Sequence, residues 1–415
     1  MRGRFGESIV LERVRVNRCE KMWPRVSIVI PVFNQAPFTA ACLDALARDE
    51  EVRAVGEVIV VDNASTDDTR AVLDRAKTTL PTLSVIHLEW NTGFAPASNL
   101  GAERARGAKL VMLNNDTIPE PGWLGALENA LDLPRAGLVG PKLLYPDSRL
   151  VNHGGYVFGS RVGAFYGIYR TFPGDFSGVC RRRDFQALLG ACVMVRAETF
   201  KAVGGFENFG LEDIDLCLKI RALGLRVIYE PRAVVLHHGS VTLNNSAPGS
   251  FAPADTAAFS ARWSQSKLVC DDEVFYAEDG FKLLGMRGDI PELKEVVGES
   301  TQLRESAQQR RLAGDRAGEE EFLRAAVNTW HGDTSAWYEL LALYIETGRT
   351  NQALDTGLRM VKHVGTSGVR LIVADLFRQC GRFVEVNEIV EEIVADRSSS
   401  SEDRERAQGV LARCL

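Results

Sequence analysis

The sequence predicts an α/β domain built on a mostly parallel sheet, followed by an all-helical repeat region. Three observations carry this. From residue 26 short continuous apolar runs alternate with amphipathic stretches, the pattern of a parallel sheet covered on both faces by helices. After about residue 291 strand signals vanish. In that second region Gly381-Arg382 repeats Gly348-Arg349 after 33 residues, and Gly314-Asp315 precedes it by 34, the period of helical hairpin repeats.

The elements follow in order. Residues 26–30 form a strand ended by Pro31, and a helix follows over 38–48. Residues 57–61 form a second buried strand; a helix then opens at Ser65-Thr66-Asp67-Asp68, with Ser65 or Thr66 as its cap and the aspartates at its positive end. A strand at 83–88, a helix at 96–106 and a strand at 109–113 complete the alternation. Residues 145–185, rich in Gly, Tyr and Phe, read as short antiparallel pieces or a long surface loop. A strand is expected over 185–195, a helix over 211–223, and two short strands, 226–229 and 233–236, around Pro231. Residues 246–255 read as a mobile loop. The division is a basic arm at 1–23, a sheet domain at 24–279, a linker at 280–297 and helical repeats at 298–415.

Composition narrows the function classes. The 415 residues suit two or three domains at roughly 150 residues each. Lys plus Arg number 49 against 55 Asp plus Glu, a net charge of −6. That balance argues against a dedicated nucleic-acid binder, whose phosphate contacts need a concentrated basic surface. The longest apolar stretches, such as 188–195, are too short to span a bilayer. No apolar region follows the arginines of the arm, so it does not read as a secretory signal. Eight scattered cysteines without a CxxC pair suit reduced thiols in a cytoplasmic protein, with Cys192 and Cys217 as core packing. The arm leaves room for peripheral contact with the inner face of a membrane.

Candidate functional residues gather just past the strand ends, where open parallel sheets bind ligands. In Ile30-Pro31-Val32-Phe33-Asn34 backbone amides can turn towards a ligand; the absence of GxGxxG speaks against a dinucleotide-binding oxidoreductase. Val61-Asp62-Asn63 puts an acid at a strand tip, able to hydrogen-bond a base or ribose, or simply to cap a turn. In Asn91-Thr92-Gly93-Phe94, with Asn99 beyond it, Gly93 permits close backbone approach or a plain turn. Leu113-Asn114-Asn115-Asp116-Thr117 follows a buried strand. Then come Gly190-Ala191-Cys192, Gly204-Gly205-Phe206-Glu207, Glu212-Asp213-Ile214-Asp215-Leu216 and His237-His238-Gly239-Ser240. Paired acids at a helix start also suit its dipole.

On these motifs, in this order, residues 24–275 resemble the family 2 inverting glycosyltransferases with the GT-A fold, and within them the rhamnosyltransferase-like members. The resemblance implies a nucleotide-diphosphate sugar donor, UDP- or dTDP-linked, with Asp62 on the pyrimidine base and Asn91, Gly93 and Phe94 near the sugar nucleotide. It implies that Asp116, with His237, holds a divalent cation, Mn²⁺ or Mg²⁺, against the diphosphate. Asn114 stands where the family's DxD element has its first acid, which leaves one strong ligand. Asp213 matches the general base, with Glu212 beside it; Asp215, two residues on, takes a structural or orienting role, and His238 is the second choice to His237. The acceptor is then a glycan, a lipid-linked glycan or a polypeptide. Trp337, Leu340, Leu341, Tyr344, Gly348 and Ala353 stand at tetratricopeptide spacings. Such repeats bind a partner, dimerise, or pack on the catalytic domain. The alternative is a non-catalytic sugar-nucleotide-binding or scaffold protein acting through the repeats.

Overall fold

The computed structural model describes residues 24–159, 161, 164–207, 211–239, 259–263, 268–287, 290–363, 367–396 and 399–414. The arm at 1–23 and the loop read at 246–255 lie outside them. The order begins β1 (Val26–Val32), α1 (Ala36–Arg48), α2 (Glu50–Val55), β2 (Gly56–Asp62), α3 (Thr69–Thr79), β3 (Leu83–His87), α4 (Phe94–Arg104), β4 (Lys109–Leu113), β5 (Thr117–Pro119) and α5 (Trp123–Leu131). It continues with β6 (Ala136–Leu144), β7 (Val151–His153), β8 (Tyr156–Gly159), β9 (Ala164–Gly167), β10 (Arg183–Asp184), β11 (Cys192–Arg196), α6 (Ala197–Ala202), α7 (Glu212–Ala222), β12 (Arg226–His237), α8 (Asp272–Glu278), β13 (Phe281–Arg287) and β14 (Ile290–Glu295).

The main sheet runs β10-β12-β6-β11-β4-β1-β2-β3, with β5 on β12 and β7 on β6. β3, β2, β1 and β4 are parallel; β11 runs antiparallel to β4 and β6, and β12 returns parallel to β6. The predicted α/β class, a mostly parallel sheet with helices on both faces, is observed, with a mixed sheet beyond β4. Alternate residues explain the two layers. Ile28 and Ile30 join Leu43 and Leu46 of α1 and Trp123 of α5 on one face. Val29, Leu110 and Met112 meet Ala95 of α4 and Ile214 and Ile220 of α7 on the other.

Four local readings differ. Helix α3 starts at Thr69, because Ser65 Oγ accepts from Asn34 N at 2.8 Å and is committed there. The strand expected over 185–195 begins only at Cys192. The amides before it bond to side chains instead of a ladder: Leu188 N to Cys217 Sγ (3.4 Å), Leu189 N to His153 Nε2 (3.0 Å) and Gly190 N to Asp213 Oδ2 (3.1 Å). The two strands around Pro231 are one, β12, whose register shifts between Glu230 and Val234, as a proline without an amide donor requires. The linker is the hairpin β13–β14, whose Leu283 is buried in the α7-side core.

Helices pair through the rest of the chain: α9 (Val297–Leu312) with α10 (Arg316–Thr329), α11 (Thr334–Glu346) with α12 (Thr350–His363), and α13 (Ser367–Gln379) with α14 (Phe383–Ala395), before α15 (Ser401–Ala412). Gly314, Gly348 and Gly381, the repeated glycines, each close a hairpin turn at φ 76°, 67° and 70°, backbone that a side chain would strain. The array folds back on the sheet domain. Arg182 Nη1 pairs with Asp396 at 2.6 Å, and His363 Nδ1 with Glu278 at 2.7 Å. Among the described residues no helix is long and apolar enough to cross a membrane.

Candidate active site

The parallel strands end on one edge of the sheet, where a cleft of about 850 Å³ opens. Pro31 and Phe33 line it from the end of β1, Asn91, Gly93 and Phe94 from the start of α4, and Asn114, Asn115 and Asp116 from beyond β4. Asn63, beyond β2, lines it too and holds this wall together. Its Nδ2 donates to Asn91 Oδ1 (2.8 Å) and Gly93 O (3.1 Å), while its Oδ1 accepts from Thr92 N (2.8 Å) and Thr92 Oγ1 (3.1 Å). Gly93, at φ 90°, provides the left-handed turn that the loop needs.

The facing wall comes from the Gly- and Tyr-rich segment and from α7. Asn152, His153, Tyr156, Arg170, Glu212 and His237 line it. His237 Nδ1 lies 2.8 Å from Asn152 Oδ1. With Nδ1 donating there, Nε2 carries a lone pair and faces Asp116 Oδ1 at 3.5 Å. Two facing acceptors are stabilised by positive charge between them, and one carboxylate oxygen with one imidazole nitrogen is a donor pair suited to a divalent cation. Among the described residues no group of three His, Cys, Asp or Glu forms a complete metal cage.

At the first turn of α7, Glu212 lines the cleft and Asp213 lies behind it. Asp213 Oδ1 accepts from Ile214 N (2.8 Å) and Oδ2 from Gly190 N (3.1 Å). Burial raises its pKa above the ordinary carboxylate value, partly offset by those amides. Gly190 is required there, since a Cβ on it would meet Asp213 Cβ at 2.9 Å.

Several sequence candidates sit outside the lining. Asn34, at φ 58°, accepts from Thr66 N at 2.7 Å and locks two turns together. Asp62 is buried beneath the cleft, its oxygens on Ser65 N (3.0 Å) and His87 Nδ1 (2.8 Å). Asn99 straps the glycine turn before α7, donating to Phe206 O (2.8 Å) and accepting from Phe206 N (3.0 Å). Asp215 is fully buried on Lys219, Arg262 and Trp263 Nε1. His238 packs edge-on against Phe38, centroids 4.7 Å apart, and its amide donates to Asp116 O at 3.1 Å. Sequence reasoning missed Asn63, Asn152, His153, Tyr156 and Arg170. Asn63 stood inside the Val61-Asp62-Asn63 motif without being given a role; the others lie in the segment read as short antiparallel pieces or a long surface loop, where no local signal marks them.

Residues 27–188 match the description of glycosyl transferase family 2. The O-antigen biosynthesis protein RfbC of Myxococcus xanthus is 31% identical over 53% of this chain and 18% of its own length. An uncharacterised protein of Sinorhizobium fredii is 31% identical over 53% of this chain and 25% of its own. The chain thus spans a quarter or less of these two relatives. The N-acetylglucosaminyl-diphospho-decaprenol L-rhamnosyltransferase of Mycobacterium tuberculosis is 27% identical, covering 51% of this chain and 75% of that one. The mannosyltransferase PcManGT from Pyrobaculum calidifontis, solved with GDP-Man and Mn²⁺, covers 91% of this chain and 88% of its own at 18% identity and a TM-score of 0.41, a level that carries no role across. The likeness to glycosyl transferase family 2 thus falls on residues 27–188, the segment whose strand ends line the cleft.

Proposed function

We propose that the protein is a glycosyltransferase that moves a sugar from a nucleotide-diphosphate donor, UDP- or dTDP-linked, to an acceptor hydroxyl with inversion. The observation that carries the reading is the meeting, in one cleft, of the strand-tip loops with the Asp116–His237 pair and the first turn of α7. In a single displacement the acceptor oxygen bonds to the anomeric carbon as the bond to the diphosphate breaks. The leaving nucleotide keeps the electron pair. Asp213 takes the acceptor's proton, and burial makes it a stronger base than an exposed aspartate. Glu212 borders the acceptor space. Asp116 and His237 would hold a divalent cation, whose chemistry there is to neutralise charge on the diphosphate.

The relatives named for O-antigen biosynthesis and for a decaprenyl-diphosphate-linked sugar favour an envelope or lipid-linked glycan acceptor over a polypeptide. The 34- and 33-residue glycine spacing supports a tetratricopeptide-like array. The Arg182–Asp396 and His363–Glu278 pairs support its packing on the sheet domain as one role. A thermal-shift panel of nucleotide sugars with and without Mn²⁺ tests the donor reading. Selective, Mn²⁺-dependent stabilisation by uridine or thymidine diphosphate sugars is the expected result; no stabilisation by any of them overturns it.

A further inference from the structure

Residues 188–190 make an unusual connection into β11. Three consecutive amides in a segment packed against the core bond to side chains rather than to a neighbouring strand. Two of these side chains lie in or behind the cleft wall: His153, which lines it, receives the Leu189 amide, and Asp213, behind Glu212, receives the Gly190 amide. The residue before His153 is Asn152, which holds His237. Both belong to β7, a three-residue strand paired with β6. One short strand therefore holds His237 directly and the residue next to Gly190, the amide donor to Asp213, through a single hydrogen bond.

We propose that Asn152 and His153 are paired positioning residues: Asn152 sets the ring of His237, and His153 sets the peptide whose Gly190 amide donates to the Asp213 carboxylate. The proposal rests on the glycosyltransferase reading for what the two ends do, and on geometry alone for how they are held. Asn152 Oδ1 accepts from His237 Nδ1 and so fixes which ring nitrogen faces Asp116. An outer partner of this kind orients a metal-binding imidazole and raises its basicity. His153 Nε2 accepts the Leu189 amide at 3.0 Å, so its proton sits on Nδ1. Its ring also packs edge-on against Tyr156, centroids 4.5 Å apart, which fixes its plane. The amide next in the chain, Gly190 N, then meets Asp213 Oδ2. If the Leu189 amide is released, Gly190 loses its aim and the Asp213 carboxylate loses one of its two amide donors.

The test uses the full chain in two arms. In the first, calorimetry measures binding of Mn²⁺ with UDP. Asn152→Leu, which keeps the size and removes the acceptor, is expected to weaken it about tenfold or more. Asn152→Asp, which keeps the acceptor, is expected to hold affinity at or above the wild type. In the second, hydrogen exchange is followed on the peptide spanning 186–192. His153→Leu is expected to lose amide protection there by about tenfold or more, and His153→Gln, whose side-chain oxygen can accept in place of Nε2, to regain it. Thermal unfolding of each variant separates this local release from global loss of fold. Asn152→Leu binding within twofold of wild type, or unchanged exchange in His153→Leu, overturns the corresponding half. If the wild type itself binds no UDP with Mn²⁺, the donor reading and the Asn152 half fall together, while the exchange arm still decides His153.

Discussion

The wall of the cleft formed beyond β1, β2 and β4 is held by carboxamides and backbone groups: Asn63 alone ties Asn91, Thr92 and Gly93. The wall formed by β7, residues 188–191 and α7 presents imidazole, guanidinium and carboxylate side chains instead, those of His153, Arg170, Glu212 and His237. Neutral amides keep one hydrogen-bonding pattern at every working pH, which suits a fixed nucleotide shape. Imidazoles and carboxylates change charge as protons move, which suits the transfer step. Asp116 belongs to the first wall by sequence and to the second by chemistry, because His237, register partner of Thr117 on the paired strand, lies beside it.

Substitutions should separate the two walls. Asp213→Asn is expected to lower turnover by about 10²–10⁴-fold while UDP binding stays within twofold; near-normal turnover would remove Asp213 from its role and leave Glu212 as the base. Asp116→Asn is expected to weaken Mn²⁺-dependent UDP binding about a hundredfold, corresponding to about 2.7 kcal/mol of lost charge stabilisation. Unchanged Mn²⁺ dependence in titration would break the link between the walls.

The pH dependence should fall on one wall only. Asp213 must be unprotonated to accept a proton, and burial raises its pKa. Turnover is therefore expected to fall as pH drops through a value above the ordinary aspartate pKa of about 3.9. A kcat profile whose acid limb lies at or below that value would contradict this. Asn63→Ala, which removes one side chain bonded to three residues, is expected to cost about 1–3 kcal/mol of stability and to weaken UDP binding. Asn99→Ala is the mildest test: about 1 kcal/mol lower stability in urea titration with UDP binding unchanged. Weakened UDP binding there would return Asn99 to the donor site.

Much of this was legible along the chain. Buried runs of branched residues at β1, β2 and β4 announced a parallel sheet, and its strand ends located the amide wall before any contact was known. The glycines at 314, 348 and 381 announced three hairpin turns, because a left-handed turn tolerates little else. The charged wall was half legible. Glu212, Asp213 and His237 stood in motifs, but Asn152, His153, Tyr156 and Arg170 did not, and only Glu212 of the acid pair faces the cleft.

Local propensity and periodicity act over a few residues, so they determined the elements, their order and the turns that end them. The tertiary structure decided which side chain each group meets. Asn152 and His237 are 85 residues apart, His153 and Leu189 36, and Gly190 and Asp213 23. Leu188 and Leu189 have apolar side chains suited to a strand, yet the amides of residues 188–190 bond to side chains because β7 and α7 lie beside them in place of a ladder. An amide takes the acceptor that packing brings within reach, and that choice is made by the fold as a whole.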